Sequence, residues 1–196
     1  MAITSAARRS AALLLGASLV VLGATACGTT GGSVSTEAKK PGSAAPASAG
    51  GASKAAAPSA AKVGDTIALK GFEKNSTADV TVVKVVDNAE GEDEFSKPAD
   101  GKRFVAVQFR IKATGKAYSD APSNSAKLLD TQGQSYDAGF YDTKAGQGFS
   151  GSVDVAPGES GLGFLTFEVP VGTVLDRVQF TLDSGMADQT GQWKLS

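Results

Sequence analysis

Lys102–Ala113 reads KRFVAVQFRIKA, and its period is two. Val105, Val107, Phe109 and Ile111 alternate with Ala106, Gln108, Arg110 and Lys112, so an extended chain carries an apolar row on one face and a polar row on the other. Helix spacing does not fit. GLGFLTFEV (161–169) repeats the pattern, with Leu165, Phe167 and Val169 opposite Phe164, Thr166 and Glu168. So does DRVQFTL (176–182), with Val178, Phe180 and Leu182 opposite Arg177, Gln179 and Thr181. ADVTVVKVVD (78–87) is more uniformly apolar, the mark of a strand buried on both faces or interrupted by a bulge.

Turn chemistry separates these strands. Asp130-Thr131-Gln132-Gly133 offers glycine for the left-handed position of a short hairpin, Ala156-Pro157-Gly158-Glu159 has the Pro-Gly pair of a type II turn, and Pro170-Val171-Gly172 marks a further break. Seven or eight short strands over 63–196, without an amphipathic helix, predict an all-β fold: an immunoglobulin-like antiparallel β-sandwich with Greek-key connections. Trp193 is expected under the sheets. Gly161-Leu162-Gly163 lies inside a strand pattern with no helix to receive a pyrophosphate, so it reads as a packing or bulge site.

The rest of the composition excludes more chemistry than it suggests. Among 196 residues there is no histidine and one cysteine, Cys27. That removes Ser-His and Cys-His nucleophile pairs, His-containing zinc sites, Cys-x-x-Cys patterns and an internal disulfide. The net charge of −1 hides an uneven distribution: 28–62 is net +3, whereas 63–196 is net −6. An acidic domain is a poor partner for phosphate backbones, so no nucleic acid is expected. No cofactor is implied either.

Upstream of the sandwich, Arg8 and Arg9 precede an uncharged run of 16 residues, Ala11–Ala26, ending in Ala24-Thr25-Ala26. A basic n-region, a short apolar core and small residues make 1–26 a secretory signal, since a spanning helix needs about 20 apolar residues. Cys27 directly follows the small residues and precedes Gly28, and this arrangement resembles the lipobox of bacterial lipoproteins. The resemblance implies a diacylglyceryl group on the Cys27 thiol and a membrane partner at the outer face of the cell membrane. Two acyl chains anchor stably where one is marginal. Two readings stay open beside it: ordinary cleavage at Ala24-Thr25-Ala26, which releases a soluble protein, and a retained apolar helix. Residues 27–62 are rich in Ala, Gly, Ser and Pro and hold almost nothing able to join a core. They are expected to form a disordered tether with a reach of roughly 30–35 Å.

GKRFVAVQFRIKATGKAYSD (101–120), AKLLDTQGQSYD (126–137) and VAPGESGLGFLTFEVPVG (155–172) resemble successive blocks of a bacterial immunoglobulin-like domain of unknown function. That family is named after telomeric-repeat-binding factor 2 and is related to immunoprotective extracellular proteins. The likeness covers 63–196 and implies an exported, non-catalytic domain. It supplies no enzymatic residues, and its name implies nothing about DNA.

Two stretches are candidate sites. YDAGFYDTKAGQGFSG (136–151) sets Tyr136, Phe140, Tyr141 and Phe149 among glycines and aspartates, and aromatics on sandwich loops commonly make contacts. Their plainer reading is that the rings fold back onto the end of the sandwich. The acids Glu90, Glu92, Asp93 and Glu94 are weak candidates for Ca²⁺, because they lack the spacing of a calcium loop; the plainer reading is a solvated turn. No paired carboxylates for glycoside hydrolysis can be identified. The expected role is a binding or accessory module for an unidentified surface protein or envelope component, with an ion- or small-ligand-binding lipoprotein as the second reading and a glycan enzyme as the third.

Overall fold

The computed structural model describes residues 33–39 and 60–195. The signal at 1–26 and the lipidation site Cys27 lie outside the described residues. In chain order the strands are β1 (Ser33–Ser35), β2 (Thr66–Lys70), β3 (Thr77–Ala89), β4 (Lys102–Ala113), β5 (Tyr118–Asp120), β6 (Ala126–Asp130), β7 (Ser135–Gly139), β8 (Val153–Val155), β9 (Ser160–Pro170), β10 (Leu175–Thr181) and β11 (Gln189–Lys194). Two single turns, α1 (Pro122–Ser125) and α2 (Leu182–Gly185), interrupt them.

Strand β4 is the spine of one layer. It pairs antiparallel with β9 along its whole length, from Lys102↔Pro170 to Lys112↔Ser160, and on its other side with β3, which in turn pairs with β2. The uniformly apolar β3 is bulged: its register against β4 shifts between Val82 and Lys84 and again between Asp87 and Ala89. The second layer runs β1-β11-β10-β6. Strand β7 belongs to both, pairing with β6 through Lys127↔Asp137 to Leu129↔Ser135 and with β9 through Ala138↔Phe167 and Gly139↔Thr166. The two layers are therefore one folded sheet, with β5 and β8 as a separate short pair.

Between the layers the period-two rows meet. Val105, Val107, Phe109 and Ile111 are fully buried, and so are Phe167, Val169, Val178 and Phe180. The Phe109 and Phe180 rings cross the core with centroids 5.2 Å apart and planes at 46°. Each such side chain contributes about 1.5–3 kcal/mol on leaving water. Trp193 is fully buried as expected, and its indole N–H donates to the Asp65 carbonyl at 2.9 Å. The three turns form at the expected glycines, Gly133, Gly158 and Gly172, all with φ near +85°.

Three expectations need correction. The sandwich is antiparallel except at β1, which runs parallel to β11. Within the stretch expected to be a disordered tether, 27–62, Ser33–Ser35 forms that strand, Glu37 bridges Ala60 and Ala61 is fully buried, while 27–32 and 40–59 lie outside the described residues. An unpaired edge at β11 gives even a polar segment backbone partners, which composition alone does not reveal. Finally, Ala106 and Phe164 belong to the rows opposite the apolar ones, where the alternation predicts a polar face. They are buried with Phe104 and Ala89 in a second apolar cluster, because two loops cover that end of the outer face.

Candidate binding cleft

The covering loops are the two stretches singled out in the sequence. Residues 90–96 follow β3 and residues 140–151 follow β7, and the backbone knits them together. Gly91 bridges Thr143, the Glu92 amide donates to the Asp142 carbonyl at 2.9 Å, and the Lys144 amide donates to the Glu90 carbonyl at 2.9 Å. The Lys144 ammonium completes the link to the Glu90 carboxylate at 3.0 Å. At the far side the second loop returns to β9, where the Phe164 amide donates to Gln147 O at 3.0 Å and the Phe149 amide to Phe164 O at 3.1 Å.

An open cleft of about 790 Å³ lies among these loops and the outer face of β9. Glu92, Asp93, Phe140, Tyr141, Asp142 and Phe149 are among the side chains that line it. Asp93 Oδ1 accepts the amides of Phe95 and Ser96, both at 2.9 Å, and these bonds hold its carboxyl below the usual carboxylate range. Asp93 thus closes its own turn. The Ser123 hydroxyl oxygen, from α1, is buried at the cleft without a hydrogen-bond partner.

The four aromatic candidates divide. Tyr136 folds back, packing against the main core and donating its hydroxyl to Asp130 Oδ2 at 3.1 Å. Phe149 also folds back, over Gly163: a Cβ there would lie 2.8–3.0 Å from three of its ring carbons. Glycine therefore lets the ring lie against the strand, the packing role expected of Gly161–Gly163. Tyr141 stacks on Phe104, centroids 4.7 Å apart, and keeps 37% exposure. Phe140 alone stands out, 82% exposed.

Phe95, 87% exposed on the companion loop, was not singled out in the sequence. The available signal was its position: an aromatic between Glu94 and Ser96, outside any alternating row. The acids are spread rather than gathered. Glu90 is ion-paired, Asp93 closes its own turn and Glu94 is exposed. Among the described residues no three Cys, Asp or Glu side chains are placed to hold a metal ion. Also among them, no helix is long and apolar enough to cross a membrane. The arrangement offers ring faces and carboxylates for contact.

Comparison with known structures agrees with this architecture. The secreted protein MPT63 of Mycobacterium tuberculosis superposes with a TM-score of 0.50 at 18% identity, over 71% of this chain and 99% of its own. A Bacillus subtilis protein, ycdA, described as a "putative lipoprotein", gives 0.46 at 17% identity over 65% of this chain and 38% of its own. A β-sandwich protein of Clostridium difficile 630 gives 0.41 at 13% identity over 74% and 100%. No curated protein matches the sequence. Residues 71–190 match the family model described as domain of unknown function DUF4352.

Proposed function

The chain belongs to the DUF4352 family of domains of unknown function, and from that membership and the cleft we propose an exported lipoprotein that presents a non-catalytic binding domain outside the membrane. The observation that carries the reading is the exposure of Phe95 and Phe140 on two loops knitted over one cleft. Exposed rings on a fixed loop pair lose little conformational entropy on contact, which is how sandwich loops make binding surfaces. The layout of Arg8, Arg9, the apolar run and Cys27 supports export and lipid anchoring at the outer face. The secreted MPT63 and the described nature of ycdA are in keeping with that location. Our finer reading of the family, as the immunoglobulin-like domain named after telomeric-repeat-binding factor 2, rests on the blocks at 101–120, 126–137 and 155–172.

The partner in this reading is a surface protein or envelope component. Crosslinking on intact cells with tagged full-length protein, against an unrelated domain on the same leader and Cys27 as control, tests it. A partner enriched with the native domain and lost with Phe95→Ser plus Phe140→Ser supports the reading. Recovery unaffected by those changes would place contact elsewhere. The volume of the cleft, about 790 Å³, and the carboxylates of Glu92, Asp93 and Asp142 along it favour a small polar ligand or ion as the second reading. Thermal shifts with Ca²⁺ or pools of small metabolites distinguish it, since a binder raises the melting temperature by mass action.

A further inference from the structure

The segment Ser33–Lys39 lies against both outer strands of the sandwich. On one side β1 pairs with β11 in the register Ser33↔Gln189, Val34↔Thr190 and Ser35↔Gly191, and the Ser33 amide donates to Asp188 O at 2.6 Å. On the other side the Lys39 amide donates to the Thr66 carbonyl of β2 at 2.6 Å, and its ammonium pairs with Asp79 of β3. In between, the Ala61 amide donates to the Thr36 carbonyl at 2.8 Å. The segment thus crosses the seam where the two layers end.

Its hold is thin. Strand β1 has three residues, none of them fully buried, and Val34 is 56% exposed. Segments with few buried apolar contacts open locally at low free energy while the rest of the fold stays intact. Position in the chain gives that opening a consequence. Ser33 comes six residues after Cys27, whereas Ala60, the next described residue after Lys39, comes thirty-three after it. At 3.3–3.6 Å per residue the first path spans at most about 20 Å and the second at most about 110–120 Å.

We propose that Ser33–Lys39 is a releasable clasp that sets how far the domain stands from the membrane. Docked, it keeps the β11–β2 seam close to the lipid surface; released, it gives the domain the full length of the tether. Release also frees the backbone groups along β11, so an extended strand of a partner competes for the same edge and would lengthen the leash on binding. The proposal rests on the reading of Cys27 as lipidated.

The test uses the lipidated full-length protein in phosphatidylglycerol/phosphatidylethanolamine vesicles with a rhodamine lipid as acceptor and a donor fluorophore on Thr131→Cys. A Gly/Ser insertion of about ten residues after Gly32 should lower energy transfer roughly twofold, and the same insertion after Gly50 should leave it unchanged. Ser33→Pro, which removes the amide given to Asp188, should make the two insertions equivalent. Equal effects of both insertions in the otherwise native chain would overturn the clasp. Two further readouts separate it from the anchor: the mass of the N-terminal peptide reports lipidation, and hydrogen exchange of Ser33 and Lys39 in a Cys27→Ser chain reports docking. An unmodified Cys27 would refute the anchor, and unprotected amides would refute the clasp.

Discussion

Asp130 is a side chain whose work was invisible in the sequence. The sequence shows only the first residue of a turn, whereas in the structure its Oδ1 accepts the amides of Gln132 and Gln134, at 2.9 and 2.8 Å, and its Oδ2 accepts the Tyr136 hydroxyl. Burial raises its pKa, and the bonds from Gln134, Gln132, Tyr136 and Gly133 outweigh that, leaving the carboxyl below its ordinary value of 3.8. A folded pKa below the unfolded one stabilises the fold at pH values above the unfolded value, and this contribution disappears as pH falls through the folded value. Asp130→Asn should therefore be less stable than the parent at neutral pH, with the gap in urea midpoint narrowing as pH falls below about 4, the unfolded-state value. A gap independent of pH would show that the charge is irrelevant. Gly163 was legible only as a packing glycine. Which ring it serves depends on Phe149, fourteen residues earlier, folding across it. Gly163→Val should cost about 1–3 kcal/mol by urea denaturation, and less when combined with Phe149→Ala, because the two share one contact.

At the scale of elements, the strands with strict alternation were legible and those governed by their neighbours were not. In β4, β9 and β10 the inward row is set by period two, which survives any arrangement that buries one face. Ala106 and Phe164 depart from the alternation because their burial comes from loops that pass over the sheet, a long-range event without a local period. The candidate stretches at 90–94 and 136–151 were each recognised from composition, but their pairing through Gly91 and Thr143 links residues 52 positions apart. The second cluster should therefore act as the floor of the cleft. Phe104→Ala should cost about 3–5 kcal/mol and also remove the ring on which Tyr141 rests. Limited proteolysis should then cut first within 140–151, whereas Phe140→Ser, an exposed position, should change neither stability nor cleavage. The left-handed residues of α2 were likewise unreadable: Asp183 and Ser184 have φ of 55° and 54°. The Asp120 carboxylate secures them by accepting the Ser184 amide at 2.8 Å, from a position 64 residues away.

For the whole molecule, the class of fold followed from strand spacing and turn residues, whereas the wiring did not. Nothing local in SYDAG (135–139) says that β7 pairs with a strand of each layer, because that depends on where β9 arrives. Contacts of this kind join distant parts of the chain, and loop closure must precede them. Refolding of a Cys27→Ser chain, followed by the emission of Trp193, the single tryptophan, should accordingly take milliseconds to seconds. A microsecond phase carrying the full amplitude would contradict a fold assembled from remote strands.

The seam between β11 and β2 also bears on how copies of the protein coexist. At β2 the Gln189 side chain acts as a stand-in for a neighbouring strand, its Oε1 accepting the Lys70 amide at 3.0 Å and its Nε2 donating to Ala68 O at 3.4 Å. Lys39 occupies Thr66 O on the same strand, and β1 occupies β11. Sheet edges with free amides and carbonyls template aggregation, most of all where molecules meet repeatedly at high local density. Proteins confined to a surface meet in two dimensions, and there β11, while β1 is docked on it, is closed to a neighbour's strand.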